Sequence, residues 1–341
     1  MSDIPFSIVV IDPLPGKLRH LVEQQIPSEG VRFACPRGSS EVELAGLVAG
    51  ANALITRKRR VTAELMNRAG ESLKLVQIMG RLADRVDLSA ARERGIPVAT
   101  MPHGGAQAVA DHAMALILAL SRNLLCGHQG VVDGGYKKRG LKPAETSEFS
   151  FAFNWLGFSN VTELRDQTLG LIGFGEIGKE VAWRARGFDM RILYHQRHPI
   201  PDEFENLLTA TWSPLEDLLR ESDFVSLHTP HTEQTEQLLS RDRLALMKPS
   251  GFLINTARGA IVDEPALVEC LQERRIAGAG LDVFVQEPLP ADHPLLGLDN
   301  VILAPHTGGG SGGGQRRHFE EILENISRVA RGEEPHHRVS G

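Results

Sequence analysis

The chain has 341 residues, enough for two domains with sizeable cores, and its 42% hydrophobic and 23% charged content is that of a globular protein. A formal net charge of −6 leaves no basic excess, which argues against a nucleic acid as partner and for a small molecule. Cys35, Cys126 and Cys270 lie far apart without CxxC spacing, so neither a disulfide framework nor a metal site is expected, and a reducing cytoplasm fits.

The first residues, Met1–Phe6, lack the basic start and apolar run of a signal peptide. From Ser7 to Met101, strand-like runs at Ile8–Ile11, Val31–Cys35, Ala51–Thr56, Leu73–Met79 and Pro97–Met101 alternate with amphipathic segments. Such alternation predicts a parallel sheet covered on both faces. Gly105–Leu125 then reads as one long helix crossing between domains. Its apolar core, Ala113–Leu120, is the longest apolar stretch and too short to span a bilayer, so no membrane is expected as a partner. The segment Asp133–Asn160 has no clear period but carries Tyr136, Phe149, Phe151, Phe153, Trp155 and Phe158. Aromatics in a long irregular segment mark a subunit interface, or an arm folded over its own domain.

The stretch Thr168–Ala182 organises the second half of the chain. An apolar run ends in Gly173-Phe-Gly-Glu-Ile-Gly178, and helical spacing resumes at Ile177, Val181 and Ala182. In a GxGxxG turn between strand and helix, the first glycine permits the turn, the second admits a pyrophosphate, and the third lets helix and strand pack closely. This predicts dinucleotide binding by Gly173, Gly175, Glu176, Ile177 and Gly178. Strands are expected at Leu169–Ile172, Met190–His195, Phe224–His228, Gly251–Thr256, Ala277–Asp282 and Val301–Ala304, a six-stranded doubly wound block. After it come the glycine tract Gly308–Gly314, read as a linker or an active-site hinge, and a helical stretch Arg316–Arg331.

Three polar residues stand at predicted strand ends: Arg258, Glu287 and His306. Ligands of open α/β sheets bind outside the carboxyl ends of the strands, so the three could share one crevice. Together they form a set for reducing a 2-keto acid. The guanidinium of Arg258 would grip a carboxylate, His306 would give or take the proton at the ketone oxygen, and Glu287 would orient the imidazole and favour its charged form.

These motifs, GFGEIG, NTARGAIVDEPAL, GLDVF followed by EP, and PH, resemble those of the D-isomer-specific 2-hydroxyacid dehydrogenases. The resemblance covers nearly the whole chain, most clearly Leu73 to His306. It implies two doubly wound parallel-sheet domains: a flavodoxin-like substrate domain from residues 1–104 plus 307–341, and a Rossmann coenzyme domain, 105–306, inserted into it. A homodimer with an arm near 125–160 is implied, with Trp155 the candidate to reach the partner's substrate pocket. Arg258, Glu287 and His306 are implied to be catalytic, Asp282 to hold the nicotinamide carboxamide, and His228, Thr229, Pro230, Thr256, Ala257 and Gly308 to line the cofactor.

Two departures from the family pattern stand out. Where relatives often carry an aspartate for the adenosine ribose, this chain reads Tyr194-His-Gln-Arg-His198. Gln196 removes the carboxylate that would repel a 2'-phosphate and Arg197 could bind one, which favours NADP(H) over NAD(H). The alternative is Gln196 on the ribose hydroxyls of NAD with Arg197 over the adenine. In the substrate loop after the fourth strand, Gly80 keeps the small character, but Arg81 and Leu82 come after it. Arg81 either faces solvent or a closure partner, or pairs with a second anionic group of a dicarboxylate or phosphate-bearing substrate. That departure puts the usual small substrates, glyoxylate and hydroxypyruvate, in doubt.

The expected activity is hydride transfer between a nicotinamide cofactor and a 2-keto or D-2-hydroxy acid, without metal. Two rival readings share the fold: a catalytically silent nucleotide-sensing interaction protein, and a phosphite-type oxidoreductase.

Overall fold

A computed structural model of the chain describes residues 6–14, 16, 19–20, 30–38, 40–101, 104–309 and 313–339. The chain divides into two compact units, Met1–Gln107 with Gly310–Gly341, and Ala108–Gly309.

The first unit holds a five-stranded parallel sheet: β1 (Phe6–Val10), β2 (Val31–Ala34), β3 (Ala53–Thr56), β4 (Leu75–Ile78) and β5 (Val98–Ala99), in the order β2-β1-β3-β4-β5. All four residues of β3 and of β4 are buried, as expected of strands covered on both faces. The flanking helices Glu41–Val48, Ala63–Ala69 and Leu88–Glu93 start at Ser40, Thr62 and Asp87, whose side chains accept the amides of Glu43, Leu65 and Ala90. The helix Gly313–Ala330 completes this unit from the far end of the chain. Its stripe of Phe319, Ile322, Ile326 and Val329 enters one core with Ile8, Val10, Ile55 and Leu75. The buried Asn325 on the same helix donates to Gln77 Oε1 at 2.9 Å and accepts the His336 amide at 2.7 Å, so this polar pair is buried with its hydrogen bonds made.

The second unit holds seven parallel strands rather than six: β6 (Thr168–Ile172), β7 (Arg191–His195), β8 (Ala210–Trp212), β9 (Phe224–Leu227), β10 (Phe252–Asn255), β11 (Gly278–Leu281) and β12 (Val301–Leu303). Their order is β12-β11-β10-β9-β6-β7-β8, the doubly wound dinucleotide arrangement with one strand added at its far edge. The unpredicted strand is β8, three residues long, paired to β7 from Ile192↔Ala210 to Tyr194↔Trp212.

The single helix expected over Gly105–Leu125 is instead two, Gly104–Ser121 and Leu124–Val132, bent by 58°. Asn123 causes the break: its φ of 49° is left-handed, and its side-chain amide donates to Asn160 Oδ1 at 2.7 Å. The first helix buries Ala113, Met114, Leu116, Ile117 and Leu120, and lies so close to β11 that a Cβ on Gly280 would stand 3.0 Å from Leu116 Cβ. Among the described residues, no single helix is long and apolar enough to cross a membrane. The aromatic segment forms a short 3-10 turn, Gly135–Arg139, and then runs on without further helix or strand to β6. Phe149, Phe151 and Phe153 on it are exposed, and Trp155 packs edge-on against Tyr136 at 6.0 Å.

Candidate functional site

The glycine turn sits at the carboxyl end of β6. Gly173 has φ +95°, and a Cβ there would lie 2.6 Å from the His228 carbonyl carbon, so the turn is seated against the end of β9. A Cβ on Gly178 would overlap the Gly173 carbonyl oxygen, which fixes how closely the helix Glu176–Ala185 approaches its strand. Around Gly175 there is open space, and no side chain caps the helix that begins there. A helix N-terminus with uncapped amides facing room is suited to an anion. Glu176 and Ile177 are half-buried in the first turn, with the Glu176 carboxylate 3.6 Å from the fully buried Lys179 ammonium.

Phe174 stacks on Tyr194 of β7 at 4.0 Å, and the Tyr194 hydroxyl donates to Glu205 and accepts the Ile200 amide. Burial and the hydrogen bond to Glu205 push this phenol well above its ordinary pKa. Beyond β7, Gln196 donates its side-chain amide to the His198 carbonyl at 2.7 Å, while its own carbonyl accepts from Trp212 Nε1 at 2.9 Å. Thus β8, missed in the sequence, braces the segment bearing Gln196. Arg197, next to it, is exposed.

Two buried polar atoms at the neighbouring strand ends have no partner among the described residues: Thr256 Oγ1 after β10 and His228 Nδ1 after β9. The other ring nitrogen of His228 meets Ser226 Oγ at 2.9 Å, and burial drives this imidazole down to about 3, so it is neutral. Thr229 and Ala257 are half-buried and Pro230 is exposed beside them. The cradle at Gly175 and the orphaned hydroxyl at Thr256 lie at strand ends of the same sheet edge, and both suit a dinucleotide.

Arg258, Glu287 and His306 come after β10, β11 and β12, three adjacent strands in register at Asn255↔Leu281 and Leu281↔Leu303. Asn255 shapes the first turn: its side-chain oxygen accepts the Ala257 amide and its amide donates to the Arg258 carbonyl, both at 3.0 Å. Sequence reasoning did not single out Asn255, although an Asn before a tight turn is the available signal. Arg258 is exposed and donates to the Ala257 carbonyl at 2.5 Å. Glu287 accepts the Phe284 amide at 3.1 Å on one oxygen and contacts His306 Nδ1 at 2.5 Å on the other. Partial burial opposes ionisation of Glu287, but the His306 and Phe284 hydrogen bonds and the charges of His306 and Arg258 prevail, and its pKa is lowered. The structure therefore brings His306 onto Glu287 and the charge of Arg258 within its electrostatic reach.

His306 itself has φ +55°, a left-handed conformation for a non-glycine residue. A clamp lies directly after it: the buried Asp282 accepts the amides of Thr307 and Gly308, each at 2.8 Å, and lies 3.3 Å from His112 Nε2. Gly308 is tight against this carboxylate, since a Cβ there would stand 2.8 Å from Asp282 Oδ2. Of the glycine tract, residues 310–312 lie outside the described residues. The remaining candidates stand elsewhere in the chain. Gly80 and Leu82 come after β4 in the first unit, Gly80 accepting the Met101 amide at 2.8 Å, Leu82 buried and Arg81 half-buried between them. Trp155 is half-buried in the aromatic segment.

The sheet order and the glycine turn define a doubly wound dinucleotide-fold protein with an Arg, Glu and His set at its carboxyl edge. The family described as "D-isomer specific 2-hydroxyacid dehydrogenase, NAD binding domain" matches residues 114–308, and the chain belongs to that family. It is 39% identical over 333 residues to a glyoxylate reductase of Pyrococcus horikoshii, covering 94% of this chain and 95% of the relative. It is 38% identical over 329 residues to a hydroxypyruvate reductase of Thermotoga maritima, covering 94% and 97%. Among solved structures, it is similar to a glyoxylate reductase from Paecilomyes thermophila (27% identity, TM-score 0.55, covering 99% of each chain). It is also similar to an acyclic imino acid reductase in complex with NADPH and D-Arg (28% identity, TM-score 0.53, covering 98% and 100%).

Proposed function

We propose that this protein is a D-2-hydroxyacid dehydrogenase that uses NADP(H) in preference to NAD(H) to interconvert small 2-keto and D-2-hydroxy acids, and that it acts as a homodimer. The observation that carries the reading is the 2.5 Å contact between His306 and Glu287, with the charge of Arg258 acting on the same carboxylate at the edge where the glycine turn opens.

The reaction needs little else from the protein. Arg258 holds the substrate carboxylate through its planar fork. Glu287, kept ionised, accepts a hydrogen bond from Nδ1–H of His306 and leaves Nε2 to donate to the ketone oxygen in reduction, or to take the hydroxyl proton in oxidation. A bound nicotinamide supplies or accepts the hydride. Gly173, Gly175, Glu176, Ile177 and Gly178 would hold the pyrophosphate, and Thr256, Ala257, Asp282 and Gly308 the nicotinamide end, with the backbone of His228, Thr229 and Pro230 alongside. Gln196 and the exposed Arg197 would receive the adenosine 2'-phosphate, a reading supported by the absence of a carboxylate at Gln196 and by the NADPH-bound reductase to which the chain is similar.

Against the doubt that Arg81 raised for them, the glyoxylate and hydroxypyruvate reductases among the relatives make those two acids the first substrates to assay, with Gly80, Arg81, Leu82 and Trp155 as further candidate substrate contacts. NADPH oxidation with either acid should be readily followed by absorbance and should exceed NADH oxidation at equal concentration. His306→Ala should lower kcat about a thousandfold while NADPH affinity stays within twofold. Unchanged turnover in that variant refutes the assignment.

A further inference from the structure

Glu264 opens the helix Glu264–Gln272 in the second unit, directly after Asp263, whose side chain accepts the Ala266 amide and caps that helix. An acidic residue in a first helical turn needs no explanation beyond the helix dipole. The Glu264 side chain, however, is turned toward another segment. One of its oxygens accepts the Val285 amide at 3.0 Å, and the other lies 3.4 Å from His293 Nε2. The carboxylate and the imidazole are both mostly buried, at 15% and 17% exposure, while Val285, whose amide the carboxylate accepts, is exposed.

The two contacts bracket the segment that carries Glu287. At its start, the Phe284 amide donates to Glu287 and the next amide, that of Val285, donates to Glu264. At its end, His293 Nδ1 accepts the Leu295 amide at 3.3 Å, which leaves Nε2 as the protonated nitrogen facing Glu264. A third restraint acts on the same peptide: Gly259, next to Arg258, is seated so closely that a Cβ would overlap the Phe284–Val285 peptide group. One carboxylate thus accepts an amide at the start of the Glu287 segment and stands beside the imidazole at its end, both from the helix that comes after the Arg258 turn.

We propose that Glu264 is a positioning residue for the reaction, which sets Glu287 against His306 by fixing the Phe284–Val285 peptide and anchoring His293. This inference rests on the assignment of Glu287 and His306 proposed above. Glu264 touches no reacting atom in this scheme. It acts only through the segment that bears Glu287.

The test is a double-mutant cycle in the full-length protein, with NADPH and glyoxylate as probes. Glu264→Gln keeps an acceptor for Val285 but presents an amide to His293, and should lower kcat about ten- to a hundredfold with the NADPH dissociation constant unchanged. The alkaline limb of kcat for reduction should move to lower pH, as in Glu287→Gln, because the imidazole loses the same support. In a Glu287→Gln background the Glu264→Gln change should cost less than twofold, since the group it positions is already gone. His293→Asn, which keeps a cap for Leu295 and removes only the contact to Glu264, should give a smaller effect in the same direction and guards against a folding defect in Glu264→Gln. Equal cost in both backgrounds, or a lowered Tm with kcat and its pH profile unmoved, overturns the positioning role alone. A Glu287→Gln enzyme with unaltered kcat overturns both this inference and the functional assignment beneath it.

Discussion

His228 shows how a single residue at the sheet edge couples stability to pH. Its imidazole is buried after β9 and held neutral, with its pKa driven down to about 3 by desolvation, whereas an unfolded histidine titrates near 6.5. Below about pH 6.5 the unfolded chain takes up a proton that the folded one refuses. The stability is therefore complete above that pH and is lost progressively as pH falls toward 3. At about 1.4 kcal/mol per unit, the loss from this group is about 2 kcal/mol at pH 5. Urea unfolding of the wild type and of His228→Asn at pH 7 and pH 5 should show the variant losing about 2 kcal/mol less between the two, whatever its absolute stability. Equal losses would assign the acid sensitivity to other groups. Arg258, Glu287 and His306 were legible in the sequence because each comes after a strand that reads clearly and the chemistry of the three is complementary. Glu264 and Asn255 were not, because their roles depend on which distant amides they meet, and no local pattern encodes a meeting between Glu264 and Val285.

At the scale of elements, the glycine turn separates two roles that a sequence motif merges. Gly175 faces open space with an ordinary φ of −76°, whereas Gly178 abuts the Gly173 carbonyl. Gly175→Ala should leave Tm within about a degree, yet weaken NADPH binding tenfold or more, about 1.4 kcal/mol, because its methyl enters the space proposed for the pyrophosphate. Gly178→Ala should cost about 1–3 kcal/mol of stability through overpacking. Calorimetry paired with nucleotide titration distinguishes them, and a similar Tm loss in both would show that Gly175 is structural as well. The same contrast explains what the sequence revealed of the fold. Strands such as Ala53–Thr56 and Phe252–Asn255 are legible because an unbroken apolar run between turn signals is what burial on both faces demands. The edge strand Ala210–Trp212 is too short to show a period, and its pairing is supplied by β7. The break at Asn123 is masked because apolar residues continue straight past it at Leu124 and Leu125, both exposed in the structure.

For the molecule as a whole, the exposed apolar groups of the second unit are the largest departure from what a lone chain in water favours. Phe149, Phe151 and Phe153 are 94%, 66% and 85% exposed, and Leu124, Leu125, Val131 and Val132 of the preceding helix are also exposed. Single exposed hydrophobics are ordinary, but three phenylalanines within five residues, on an irregular segment ahead of the coenzyme-type fold, call for a cover. Burying a phenylalanine side chain contributes about 1.5–3 kcal/mol, so these three alone could supply a substantial part of an association free energy. The proposed homodimer gives them that cover. The wild-type chain should sediment as a dimer at micromolar concentration. Phe151→Asp combined with Phe153→Asp should shift it to monomer, since each carboxylate would have to be buried unpaired to re-form the contact. Because both side chains already face outward in the isolated chain, the unfolding midpoint of the monomeric variant measured at low concentration should match that of the wild type diluted to the same state. A wild type that is monomeric at all accessible concentrations, or a variant that remains dimeric, would place any subunit contact elsewhere than on this arm.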